Sequence, residues 1–233
     1  MPRPAPRLVR RAAAEFLGTA FLVAAVIGSG IAARRLSPHD TGLQLLENSL
    51  ATGAILVALI LALQPVSASF NPVVTLVECA FGRLGTGPAA VLVVAQVAGG
   101  IVGAVVANLM FDLHGVSISS HDRITGGHLL GEVVATLGLV LIVFGALGSP
   151  RIETVALAVG GYIAAAYWFT SSTSFANPAV TVARSLSDTF AGIAPSSVPP
   201  FVLMQLLGGA LGAGAVLLLQ LPSTSQTISE EAP

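Results

Sequence analysis

The sequence predicts an all-α membrane protein, with six transmembrane helices and two re-entrant half-helices arranged as an inverted repeat. Three observations carry that prediction. First, the 233-residue chain is 54% hydrophobic and only 9% charged. A soluble domain carries roughly 25% charged residues, so this chain lacks the polar surface to dissolve as a globule. Second, apolar stretches lie at about 12–33, 43–63, 89–111, 129–147, 154–170 and 199–221. Each approaches the ~20 residues with which a helix spans a bilayer. Third, a set of short signatures occurs twice, in one order.

The first stretch follows Arg3, Arg7, Arg10 and Arg11. A charged start before an apolar core can mark a secretory signal. This core is too long for that and contains Glu15, so the arginines read better as holding a short tail, 1–11, in the cytoplasm. Arg34 and Arg35 at the far end of the same span oppose that charge argument. Six spans return the C-terminus to the starting side. The polar residues 222–233 read as a disordered tail, leaving 12–221 as a single domain.

The repeat is the most informative feature. Ala14-Glu15-Phe16-Leu17-Gly18-Thr19 opens the first span, and Gly131-Glu132-Val133-Val134-Ala135-Thr136 opens the fourth. Asn71-Pro72-Val73-Val74-Thr75 follows the second span, and Asn177-Pro178-Ala179-Val180-Thr181 follows the fifth. Gln96-Val97-Ala98-Gly99-Gly100 lies in the third span, and Gln205-Leu206-Leu207-Gly208-Gly209 in the sixth. The three offsets are 117, 106 and 109 residues. Repeat one therefore covers about 12–111 and repeat two about 129–221. Each half holds three spans. Because three is odd, the second half enters the membrane from the opposite face. Inverted repeats place function near the bilayer midplane, at broken helices.

Asn is a favoured helix N-cap, and Pro suits the first helical position because its missing N–H would be unpaired there. The apolar runs after each Asn-Pro, Val73 to Phe81 and Ala179 to Leu186, are too short to span. They read as half-helices dipping in from opposite faces, beside non-helical backbone that must line a cavity or be buried in protein. If the two N-termini meet, each contributes about half a positive charge, which repels cations and protons. Two Asn amides offer N–H donors to a neutral solute.

The paired motifs SFNPVVT and SFANPAVT, the AEFLGT opening and the six spans resemble the aquaporin (major intrinsic protein) family over about residues 12–221. The resemblance implies an aquaporin fold, a pore in every subunit and a homotetramer in the lipid bilayer. It implies that Glu15 and Glu132 support the two re-entrant loops, whose carbonyls form a ladder for the solute. Val73 replaces the family's usual Ala and is expected to shift Asn71 slightly. The first loop, Ser67-Ala68-Ser69-Phe70, lacks the family's His and reads one residue shorter. The family's filter arginine, directly after the second motif, falls on Val180. The nearest arginine, Arg184, lies one turn further, roughly 6 Å along the axis. It is expected in the outer vestibule, with a salt bridge to Asp188 as the alternative. The other filter positions fall on Thr52 (or Ala51), Ala165 (or Ala166), and Ser174 or Phe175.

As aligned, that filter is wide and mostly apolar, suiting solutes larger than water. The pattern NPAVTVARSLSDTFAGI, after AAYWFT, is similar to a bacterial subgroup encoded beside arsenic-resistance genes. That likeness implies a channel of the bacterial inner membrane passing glycerol-like polyols or neutral metalloid acids such as arsenite, with water. A water-selective channel is the alternative reading, and a secondary transporter a remote one, since Asn71 and Asn177 do not titrate.

The remaining residues add little chemistry. Glu78 stands seven residues after Asn71, as Arg184 does after Asn177, and reads as a packed, paired acid near the cytoplasmic mouth. Cys79 is a lone thiol, and the four His fit no ligand spacing, so no metal or cofactor is expected. Tyr162, Tyr167, Trp168 and Phe169 read as an interfacial aromatic anchor. Phe70 and Phe175 read as pore wall or packing plugs. The Gly99/Gly103 and Gly208/Gly212 pairs read as close helix contacts. A net charge of −1 gives no footprint for nucleic acid. The spans hold no paired carboxylates or Ser/His pair that would suit an enzyme.

Overall fold

A computed structural model describes residues 7–219 and 221. The expected 222–233 tail and Arg3 lie outside the described residues. The eight α-helices run α1 Leu8–Leu36, α2 Thr41–Leu63, α3 Pro72–Ala80, α4 Thr86–Met110, α5 Gly126–Ala146, α6 Ile152–Phe169, α7 Pro178–Arg184 and α8 Val198–Leu218. A single 3₁₀ turn, Pro195–Ser197, leads into α8, and no strand occurs among the described residues.

Six of these helices are long and apolar enough to cross a membrane. Their outer faces carry exposed Leu, Val, Phe and Ile side chains such as Phe21, Val94, Leu130 and Leu157, the pattern of a surface solvated by lipid rather than water. Helix α1 begins at Leu8, four residues before the expected span at 12. The long aliphatic stems of Arg10 and Arg11 allow the helix to continue past the apolar core.

The repeat governs the packing. In the first half α1 lies along α4, and in the second half α5 lies along α8. Both contacts are close because glycine leaves room. A Cβ at Gly99 or Gly103 would overlap the carbonyls of Phe16 or Ala20, and one at Gly208 or Gly212 would crowd those of Val133 or Leu137. The remaining pair of repeat mates, α2 and α6, packs across the centre, where Gly53 and Gly160 oppose each other. The two short helices α3 and α7 fill the space between the halves and touch each other.

Two ends of the bundle can now be named. The proximal end carries the start of α1, the α3–α4 turn and the α5–α6 turn. The distal end carries the α1–α2 turn, the long α4–α5 loop and the segment from α7 to α8. At the distal end Asn108 donates to the Gly115 and Leu186 carbonyls and accepts from the Ser187 hydroxyl, stitching that loop to the segment after α7.

Candidate conduction pathway

The pathway is built from the two Asn-Pro turns. In each, the Asn is extended and caps the helix that follows. Asn71 Oδ1 accepts the Val73 amide at 2.9 Å, and Asn177 Oδ1 accepts the Ala179 and Val180 amides at 3.0 and 3.3 Å. The residue before each Asn is left-handed, with φ of 47° at Phe70 and 48° at Ala176. This conformation is unfavourable by about 1–3 kcal/mol for a non-glycine residue, and the surrounding bonds must offset it.

Those bonds come from two fully buried glutamates. Glu15 accepts from Ser67 Oγ (2.6 Å), Ser69 N (2.9 Å), Phe70 N (2.7 Å) and Gln96 Nε2 (2.8 Å). Glu132 accepts from Phe175 N (3.0 Å), Ala176 N (2.9 Å) and Gln205 Nε2 (2.6 Å). Each Gln also donates to the Thr of its own half-helix, Thr75 or Thr181, at 2.8 Å. The repeated Glu, Gln and Thr thus form one chain of hydrogen bonds per half. The Gln and Thr were visible as repeated letters, but only the fold assigns them partners.

The loops also hold each other. Asn71 Nδ2 donates to the Ala176 carbonyl and Asn177 Nδ2 to the Phe70 carbonyl, both at 2.7 Å. Each asparagine spends one amide hydrogen on the opposite loop. One N–H per residue remains, and both asparagines border the central cavity. The half-helix N-termini converge there as well, adding partial positive charge. Val73 is accommodated without disturbing this arrangement. Its side chain occupies the space that a Cβ at Gly209 would need. Asn71 and Asn177 keep matching backbone angles, −151°/119° and −155°/110°.

The cavity has a volume of about 420 Å³. It runs from Arg11, Gln64 and Glu78 at the proximal end, past Asn71 and Asn177, to Tyr167 and Arg184 at the distal end. Most of its other wall residues are aliphatic, and the hydroxyls of Thr52, Ser67, Ser69 and Ser174 and the rings of Phe70 and Phe175 stand among them. Glu78 is partly buried at the proximal mouth, as a packed acid would be, but it forms no ion pair among the described residues, so the expected pairing is absent.

Most of the expected filter residues gather near the distal end. Thr52, Ser174, Phe175 and Val180 all border the cavity. Ala165 does not: it is exposed on the outer face of α6. The neighbour Ala166 is buried but does not line the pathway. Residues 163 and 167 share the inward face of α6, and 165 lies roughly 200° around the helix from 163. Tyr167 therefore takes the place expected for Ala165, and its hydroxyl pairs with Thr52 Oγ1 at 3.1 Å. Trp168 and Phe169 are exposed as an anchor would be, whereas Tyr167 is buried.

Arg184 is 2% exposed and borders the cavity, with its guanidinium 3.5 Å from the Phe175 ring centroid. Its Nε donates to the Ala191 carbonyl. The alternative salt bridge to Asp188 does not form: Asp188 accepts instead from Ser120 N at 2.9 Å and Ser120 Oγ at 3.1 Å. With Tyr167 and Arg184 present, the distal narrowing is more polar than the sequence implied.

Opposed helix N-termini, two asparagine donors that do not titrate and a largely apolar cavity enclosed by six spans fit a passive channel for small uncharged solutes. The chain belongs to the major intrinsic protein family, whose family model matches residues 5–154. It is 48% identical over 230 residues to aquaglyceroporin AqpS of Rhizobium meliloti (strain 1021), covering 97% of this chain and 98% of that protein. Among solved structures, the X-ray structure of the aquaglyceroporin from Plasmodium falciparum matches with a TM-score of 0.72. It is 19% identical and covers 93% of this chain and 100% of that one, a likeness of fold. The chain is an integral, multi-pass membrane channel and not an enzyme.

Proposed function

We propose that this channel passes small polyols such as glycerol and neutral metalloid acids such as arsenite, together with water, across a bacterial inner membrane. We also propose that it works as a homotetramer with both termini cytoplasmic. The observation that carries the solute reading is Val180. It is 5% exposed and borders the cavity, so an aliphatic side chain stands where the family pattern places a guanidinium. The pathway then offers donors from Asn71 and Asn177 against walls that are mostly apolar, which suits a solute that is hydroxylated on one face and less polar on the other. The relative's name, aquaglyceroporin, supports the same reading.

One observation favours the narrower, water-selective reading: the Tyr167–Thr52 pair and the Arg184–Phe175 stack put large polar and aromatic side chains into the same wall as Val180. Vesicle swelling decides between them. Val180→Arg is expected to lower glycerol and arsenite uptake several-fold more than water flow, roughly tenfold if it removes about 1.4 kcal/mol of solute stabilisation. Unchanged solute uptake in that variant would argue that Val180 does not face the pathway, and wild-type vesicles passing water alone would refute the polyol and metalloid reading. For orientation, Arg7, Arg10, Arg11, Arg83 and Arg151 lie at the proximal end, which supports placing that end in the cytoplasm.

A further inference from the structure

Two arginines meet at the distal mouth, and neither has an acid for a partner. Arg123 comes from the α4–α5 loop and Arg184 ends α7. Both guanidiniums lie over one ring, 5.2 Å and 3.5 Å from the Phe175 centroid. Both also border a second cavity of about 190 Å³. Arg184 belongs to the walls of both cavities, so the smaller one adjoins the pathway at that side chain.

The protein partners of these arginines are backbone carbonyls. Arg123 Nε donates to Gly192 at 2.8 Å, its Nη2 reaches Phe190 at 3.4 Å, and Arg184 Nε donates to Ala191. Among the described residues no carboxylate forms an ion pair with either. The nearby acids are committed elsewhere. Asp188 accepts from Ser120, Asp122 from Ile124 N and Ser197 Oγ, and Glu132 from the second re-entrant loop. A guanidinium carries five N–H donors, and the protein engages only one of those on Arg184. The Glu132 carboxylate acts on both guanidiniums but forms an ion pair with neither and is spent on the second loop, so two buried positive charges lack a dedicated counter-charge, whereas buried charges are normally paired.

We propose that this second cavity is a binding site for a small carboxylate, or an oxyanion of similar size, held between Arg123 and Arg184. The planar guanidinium fork matches a carboxylate in charge and geometry. A chamber of about 190 Å³ admits an anion of a few heavy atoms with some water. A bound anion would neutralise the mouth and occupy the approach to Phe175. This site is independent of which neutral solute the pathway prefers.

The test is a binding titration on the full-length protein in detergent, with sodium acetate as probe and sodium chloride at matched ionic strength as reference. Binding is read from the thermal unfolding midpoint, which rises with any ligand that prefers the folded state, and from acetate NMR saturation transfer. Wild type is expected to show saturable acetate binding with a dissociation constant on the order of millimolar. Arg123→Gln and Arg184→Gln should bind at least about tenfold more weakly, and Arg123→Lys should fall between, because it keeps the charge and loses the fork. Arg83→Gln, at the opposite mouth, should bind as wild type does. No acetate effect beyond chloride in the wild type would overturn the proposal, as would wild-type affinity in the folded Gln variants. Should Arg184→Gln fail to fold, Arg123→Gln and Arg123→Lys carry the decision. Because binding is measured without transport, a vesicle result against polyols or arsenite leaves this outcome unchanged.

Discussion

The two re-entrant loops follow one plan and differ in how they are held. Glu15 gathers four donors for the first loop and Glu132 three for the second, the missing one being the counterpart of the Ser67 hydroxyl. The first loop has one left-handed residue, Phe70, whereas the second has Thr173, Ser174 and Ala176. Ser174 Oγ is also buried without a partner. The proximal loop is thus well clamped and relaxed, and the distal loop is less clamped and more strained. The strain falls in the loop that supplies Ser174 and Phe175 to the narrowing, which fits the tendency of strained backbone to cluster at functional sites.

The largest expected effect comes from removing the clamps. Glu15→Leu orphans four donors and Glu132→Leu three. A buried unsatisfied donor is unfavourable by about 1–3 kcal/mol. Both variants should lose several kcal/mol in SDS unfolding titrations, with Glu15→Leu the worse by about one such group. The reverse order would break the comparison.

A smaller loss tests whether the halves are also packed alike. Gly99→Ala and Gly208→Ala should each destabilise by about 1–3 kcal/mol, the usual penalty of overpacking, because each Cβ meets a backbone carbonyl. A loss confined to one half would show that the repeat is symmetric in sequence but not in energy.

A gain is expected at Thr173, a β-branched residue at φ 61°. Thr173→Gly should stabilise the fold by about 0.5–1 kcal/mol, since relief of ~1–2 kcal/mol of left-handed strain exceeds the entropy that glycine loses. The same unfolding titration reads it, and a loss would mean that the second loop is not strained there.

The smallest effect concerns acid. Ser120 N–H holds the exposed Asp188 carboxyl below its ordinary value of 3.8, and the Ile124 amide does the same for Asp122. A depressed carboxyl lends stability that is complete above its unfolded value and disappears as pH falls through the folded one. The distal loop should therefore loosen only below about pH 4, seen as faster amide exchange at Ser117–Ser120. Loosening near neutral pH would contradict this assignment.

Much of this was legible in the sequence because the repeat doubles each signal. Asn71 and Asn177, Glu15 and Glu132, and the glycine pairs all appear twice, so each copy checks the other. The register of α6 has no such check, which is why Ala165 was expected where Tyr167 stands. A signal was nonetheless present. Cavity-lining residues recur every fourth position, as in Thr52, Leu56 and Ile60 on α2 with Gln64 at its C-cap, and Val155, Val159, Ile163 and Tyr167 on α6. Read as a stripe of larger side chains among Ala and Gly, the second series ends on Tyr167. Arg123 was not legible at all. It comes from a loop without a repeat mate, and only the folded chain brings it to Phe175.

The reciprocal bonds between Asn71 and Ala176 and between Asn177 and Phe70 have a mechanical consequence. Each loop is latched to the other at its own turning point, so neither can swing aside without releasing its partner. The waist of the channel behaves as a fixed ring, closed in every state in which both latches hold. Any gate must then sit at the mouths, near Arg11 and Glu78 or near Arg123 and Arg184, where side chains can move without unfastening the ring.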